Sequence, residues 1–245
     1  MTDTIVRPSS APEHSPGLAA RLVGVIFSPH ATYEAIAARP RILGALLTVL
    51  LVGSAATFTF LSTEVGQNAI LDEQFVQMER FGFKPSEQQI TMFEERAGSS
   101  RYFAVGGQVV VIPLMMLVAS GLGLVIFNAV LGGNGTFKQV YAVVAHSWVL
   151  PMLQTVFVLP LNYATESMAS TTSLAVFLPM LEPSSFAVRF LGQIDLFRIW
   201  WAVSLAIGFA ALYKRRTSPI AWGFLAAYVV IALAIAGIMT ALSGA

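Results

Sequence analysis

Long apolar runs separated by short polar stretches dominate the chain. Five of them reach the ~20 residues a helix needs to cross the hydrocarbon core of a bilayer: about 42–61, 103–131, 137–163, 193–213 and 221–242. The second is long enough to tilt or overshoot the membrane. The third is interrupted by Pro151 and Pro160. The pattern predicts an all-α polytopic membrane protein built as a bundle of about five transmembrane helices, with a membrane domain over 41–242.

The stretches between the runs have their own organisation. Residues 1–17 are polar, rich in Pro and Ser, and read as a disordered tail. They lack the apolar core of a signal peptide, so the first run is expected to direct insertion itself. Leu18 to Phe27 is apolar but too short to span; Ser28-Pro29 ends it, and Ala31 to Arg39 follows as a second short helix. Segment 18–40 therefore reads as a pair of interfacial amphipathic helices, or as a linker packed on the first span. Residues 62–101 form the one long polar segment, with seven acids and four bases. Ser86 with Gln89 three residues on is a capping box, so a helical hairpin outside the membrane is predicted, its second arm stopping at Gly98. Segment 164–192 is mixed, and its apolar island 174–181 is short enough to be interfacial or re-entrant.

Composition sharpens this picture. The chain is 56% hydrophobic and 11% charged, against about 25% charged in a soluble domain. The absence of cysteine removes disulfides, thiol chemistry and Cys-based zinc sites. Charge placement predicts orientation. The side holding the tail, the Gly132 turn and the Lys214 turn collects eight bases and three acids; the other side collects six bases and ten acids. Bases in short loops carry the orientation signal, and Arg39, Arg41, Lys138, Lys214, Arg215 and Arg216 all fall on the first side. That side is expected to be cytoplasmic, with the N-terminus in, the C-terminus out, and both 62–101 and 164–192 extracytoplasmic.

Candidate chemistry is sparse. Walker, HExxH and GxSxG patterns are absent, and Gly132-Gly-Asn-Gly135 reads as a tight turn between helices. His146 is the ionisable residue deepest inside a span, and such residues cost about 3 kcal/mol at mid-membrane. It could relay a proton or join a polar site with Asn128 across the short turn; a neutral histidine making one interhelical hydrogen bond is the simpler account. Pro151 with Gln154 forms a kink beside a polar side chain. Together Asn128, His146, Pro151 and Gln154 make a candidate intramembrane polar site. Asp195 and Arg198, three residues apart at the start of the fourth run, are expected to pair, with Trp200 and Trp201 as a boundary aromatic belt. These four make a candidate partner interface. Ala202, Ala206 and Ala210 offer a smooth face for helix packing. No metal ligand set at suitable spacing, no catalytic residue and no cofactor is expected.

The order of these features resembles bacterial members of the YIP family, the Ypt/Rab-interacting-protein type of five-span membrane protein. The matching pieces are Phe27-Ser-Pro-His-Ala-Thr-Tyr-Glu-Ala-Ile36 with Arg39-Pro40, then Pro85-Ser-Glu-Gln-Gln89. They continue with Gly135-Thr-Phe-Lys-Gln-Val-Tyr-Ala-Val-Val-Ala-His146 through Leu150-Pro151, and Ile194-Asp-Leu-Phe-Arg-Ile-Trp200 leading to Gly208. The resemblance implies five spans and a cytoplasmic N-terminus. Eukaryotic members look like trafficking factors that bind Rab GTPases; a bacterial chain, residing in the inner membrane, would lack that small-GTPase partner. It supplies no catalytic residues to carry over. Two functions are therefore expected in competition. One is a non-enzymatic scaffold or adaptor organising membrane lipids, copies of itself or another membrane protein, with no nucleic acid involved. The other is a small transporter or channel for a lipid or modest solute, its path near His146.

Overall fold

A computed structural model of the chain describes residues 16–168, 171–182 and 185–243; most of the expected N-terminal tail, residues 1–15, lies outside them. Among the described residues the protein is all-α, with one isolated bridge between Ser173 and Asp195. The helices are α1 (Leu18–Phe27), α2 (Pro29–Ala38), α3 (Leu43–Leu61), α4 (Glu64–Arg80), α5 (Glu87–Arg96) and α6 (Ser100–Leu124), followed by α7 (Phe137–Ser147), α8 (Val149–Thr165), α9 (Phe186–Gln193), α10 (Leu196–Tyr213) and α11 (Thr217–Ser243). Five helical stretches are long and apolar enough to cross a membrane: Leu43–Leu61, Glu87–Val130, Phe137–Thr165, Leu196–Tyr213 and Thr217–Leu242. Their outer faces carry the apolar side chains. Leu43, Leu51, Val110, Val130 and Val230 are all largely exposed, as a bilayer-facing surface requires.

The centre of the bundle is α7. Every residue from Val140 to Ser147 is buried, so this helix is enclosed on all sides. Around it pack α6, α10 and α2, while α8 continues its line and joins α3 and α10. Phe127, Phe209 and Tyr213 stack at one end of this core, with centroids 4.6 Å (Phe127–Phe209) and 4.9 Å (Phe127–Tyr213) apart. The alanine face of α10 is used inside the molecule: Ala202, Ala206 and Ala210 are all buried.

The short helices before the first span are unequal. α1 leaves Leu18, Val23 and Phe27 exposed, but α2 docks deep into the bundle, with Tyr33 and Ile36 fully buried against α7 and α10. The reason lies in α10, where Ser204 and Gly208, four residues apart, open a slot. The Tyr33 ring lies against Gly208, where any Cβ would come within 3.1 Å of it, and its hydroxyl bonds Ser204 Oγ at 2.9 Å.

The hairpin differs from expectation in one respect. Its first arm ends in a Schellman motif: Gly82 takes φ 79°, its N–H donates to Glu79 O, and Phe83 N–H donates to Met78 O. Its second arm opens with the Ser86–Gln89 capping box. That arm does not stop at Gly98, which lacks the left-handed conformation that Gly82 adopts. A single 3-10 turn, Ala97–Ser99, carries it directly into α6. The resulting run, Glu87–Val130, holds 44 residues and extends about 65 Å at 1.5 Å per residue, roughly twice a bilayer core.

The third span is also articulated. The helix breaks at Trp148, and Pro151 falls in the first turn of α8, where a missing N–H is tolerated. The island 174–181 contains only a single 3-10 turn, Leu174–Phe177, and leaves Phe177 and Met180 exposed.

Candidate functional site

Among the described residues, three separate sets of polar side chains stand out inside the bundle. The first lies at the hairpin end, around Asp195, which is only 2% exposed. Its Oδ1 caps α10, accepting from the backbone N–H of Phe197 at 2.8 Å and of Arg198 at 3.1 Å. Its Oδ2 accepts from Gln154 Nε2 at 3.0 Å and from the Thr172 hydroxyl. Gln154 Nε2 also donates to Thr172 Oγ1 at 3.0 Å. The Asp195 N–H donates to the Tyr228 hydroxyl at 3.0 Å, and that hydroxyl donates to the Gln193 carbonyl. The Asp195 carboxylate thus ties α8, the 171–173 segment and α10 together, and its backbone N–H adds α11. It receives charge-assisted bonds at a helix N-terminus, where the dipole favours negative charge.

Beside this set lies a cavity of about 270 Å³ between the end of α3, α8 and the segment after it. Thr57, Gln154, Thr155, Asn162 and Thr172 supply its polar lining, and Phe60, Leu61, Val158, Leu159 and Met168 its apolar lining. Asn162 is 9% exposed, and its Oδ1 is buried without a hydrogen-bond partner.

The second set closes the opposite end of the bundle. Asn128 sits in a π-helical turn, Val125–Val130, that finishes the second span. Its Nδ2 donates to Gly135 O at 2.7 Å, while its Oδ1 accepts from Gly135 N–H at 3.2 Å and from the Tyr213 hydroxyl at 2.8 Å. The Gly133 and Gly135 positions lie directly against the Tyr213 ring and hydroxyl, leaving no room for a Cβ. The glycine-rich turn is thereby accounted for as a packing device.

The third set is central. His146 is fully buried; Nδ1 donates to the Ala142 carbonyl at 2.7 Å, which leaves Nε2 as an unpartnered acceptor. Ser147 Oγ donates to Val144 O and accepts from Trp201 Nε1 at 3.0 Å, and Trp201 packs edge-on against Trp148. Trp201 therefore turns inward, while Trp200 is 38% exposed and stacks obliquely with Phe197. Arg21 is carried by α1, which packs on the same central helix α7. It is buried, donating from Nε to Pro16 O and from Nη1 to Arg39 O, both at 3.0 Å, while Nη2 lacks a partner. Burial, followed by the neighbouring Arg41 and Arg39 charges, pulls the Arg21 guanidinium below its ordinary pKa.

The residues grouped from sequence are thus divided. Gln154 joins Asp195, whereas Asn128 and His146 bond different partners and do not meet. Arg198 is linked to Asp195 through its backbone N–H. Thr172, Tyr228 and Arg21 were not expected at any site. Thr172 lies 23 positions from Asp195 and Tyr228 33 positions from it, with no local pattern marking either.

Among the described residues no three His, Asp or Glu side chains cluster as metal ligands would. The architecture defines an integral membrane protein with five spans, a buried central helix and its polar groups tied mainly to one another. The family model described as Yip1 domain matches residues 23–241, and the chain belongs to that family. No curated protein and no solved structure matches it.

Proposed function

We propose that this Yip1-domain protein is a non-enzymatic membrane scaffold or adaptor, working through contacts with lipids, copies of itself or other membrane proteins. The observation that carries this reading is the separation of the intramembrane polar groups. Asn128, His146 and Gln154 each bond a different protein partner, and His146 lies in a helix whose whole length from Val140 to Ser147 is buried. A transport path needs polar groups that face a shared, hydrated space. The surfaces available for contact are the outer part of the α4–α5 hairpin, whose α4 arm packs on α3, α8 and α11, and the exposed apolar edge of α1. In this reading the α1–α2 end faces the cytoplasm of a bacterial cell, as the base-rich loops favour, and the hairpin faces outward across the inner membrane.

The test is solute and lipid flux in proteoliposomes, comparing the native chain with His146→Ala combined with Gln154→Ala. A scaffold gives no saturable flux in either, and the double variant shows only reduced stability. Saturable flux that disappears in a still-folded double variant refutes the proposal in favour of a transporter.

A further inference from the structure

We propose that the arginine cluster where α1, α2 and α3 meet holds the phosphate of an anionic phospholipid headgroup. The cluster is built around Arg21. Its guanidinium is buried and fixed by two backbone carbonyls, Pro16 O before α1 and Arg39 O after α2. Both partners are neutral, and among the described residues no carboxylate lies within ion-pair distance of Arg21. The acid carried by α2, Glu34, lies 3.7 Å from His30 instead. Beyond its burial, Arg21 feels the positive charges of Arg41 and Arg39. The packing of α1 on α2 thus holds three cations together against their mutual repulsion. Arg21 is too enclosed to touch a ligand and contributes its field. Arg39 and Arg41, on either side of Pro40, are both exposed and supply the contacts.

The surroundings of the cluster match a lipid. Guanidinium groups grip phosphate oxygens through paired N–H donors. The first turn of α3 follows Arg41, and its N-cap, Ile42, makes no side-chain bond, so the positive end of a 19-residue helix adds to the same field. Further along α3, Leu43, Leu47 and Leu51 recur every four residues and are all exposed. One apolar stripe therefore runs from the cluster down the span, where an acyl chain can lie. A zwitterionic headgroup would bring its own ammonium into a field that is already positive; an anionic one would not. The Lys214-Arg215-Arg216 turn at the same end of the bundle offers a comparison. Gln139 Nε2 donates to Ala37 O at 3.0 Å, which sets the end of α2 beside the start of α7, and Arg215 donates to Leu131 O just before that start. A merely diffuse attraction to an anionic leaflet would draw on both sets of bases alike. The site goes beyond the scaffold reading and does not depend on it.

The experiment uses the delipidated full chain and native mass spectrometry with phosphatidylglycerol and phosphatidylethanolamine of matched acyl chains. The native chain is expected to bind phosphatidylglycerol on the order of tenfold more tightly, the equivalent of one charge-assisted hydrogen bond. Arg39→Gln combined with Arg41→Gln should abolish that preference, and Arg41→Gln alone should lower it by about threefold. Lys214→Gln combined with Arg216→Gln removes as much charge from the same end and should leave it unchanged. Both arginine side chains are exposed, and Arg21 bonds the backbone of Arg39, so these variants should melt as the native chain does. Equal affinity of the native chain for the two lipids overturns the proposal. So does an equal fall in both double variants, which would mark diffuse attraction to a basic surface, or a preference untouched by Arg41→Gln in protein that melts normally. Inorganic phosphate at millimolar concentration should fail to displace phosphatidylglycerol; full displacement by it would make this a soluble-anion site and overturn the lipid assignment.

Discussion

Replacing Gly208 with alanine tests how α2 is held in the bundle. A Cβ at that position would lie 2.5 Å from Val143 Cγ1 and 3.1 Å from the Tyr33 ring. Neither neighbour can yield easily. Val143 is β-branched, fully buried and on the central helix, where one χ1 rotamer dominates. Tyr33 is fully buried and tethered by its hydroxyl to Ser204, one turn away on the same helix as Gly208. Overpacking of this kind costs about 1–3 kcal/mol, offset in part by the ~1 kcal/mol gained when a helical glycine becomes alanine. The net expectation is a loss of up to about 2 kcal/mol. Val143→Ala alone should cost about 2 kcal/mol through the cavity it leaves. Combined, the two should cost at least ~1 kcal/mol less than their sum, since each relieves the fault of the other. Equilibrium unfolding in mixed micelles reads this out through Trp148 and Trp201, packed at 6.1 Å inside the bundle. Strict additivity in the double variant, or a gain in stability from Gly208→Ala alone, would refute the slot as the anchor of α2.

Two further outcomes follow from named bonds. Asn128→Ala cuts three hydrogen bonds across the 132–135 turn and should cost about 3 kcal/mol, whereas Tyr213→Phe cuts one and should cost about 1 kcal/mol; the same unfolding titration ranks them, and the reverse order would dismiss the turn as their shared element. Burial holds the Tyr33 phenol above its ordinary 10.0, against a smaller opposing effect of its Ser204 bond. The unfolded phenol ionises above that pH while the folded one stays protonated, so stability is full below pH 10 and falls as pH rises. Tyr33→Phe should flatten the decline by up to ~1.4 kcal/mol per unit; an unchanged slope would show that another group carries it.

What the sequence made legible and what it concealed divide along physical lines. A span must be apolar over ~20 residues because lipid cannot satisfy its backbone, so five spans could be read directly from one-dimensional pattern. Local chemistry was equally visible: the Ser86–Gln89 box needs only its own four residues, and both of its bonds form. Gly98 does not stop its helix because a glycine permits the left-handed cap without requiring it, and there the chain runs on through a 3-10 turn into the second span. Tertiary pairings had no such signature. Asp195 is recognisable as a helix-cap acid, and helical spacing offers it Arg198, three residues on, as an ion-pair partner. Its Oδ2 instead takes bonds from Gln154 and Thr172, which lie on other segments. Arg21 shows the converse error. A lone arginine on a ten-residue helix reads as an interfacial charge, yet two carbonyls, at Pro16 and Arg39, accept its N–H groups and let it be buried. Those carbonyls belong to backbone that precedes α1 and follows α2, so the packing of α1 on α2 brings the second within reach, and α2 in turn docks into the Ser204–Gly208 slot. The same docking decides how the α1–α2 end sits on the bundle, and it depends on two small residues that hydropathy ranks as unremarkable. In an apolar chain the positions that specify packing are those with least side chain, and a pattern built from side chains passes over them.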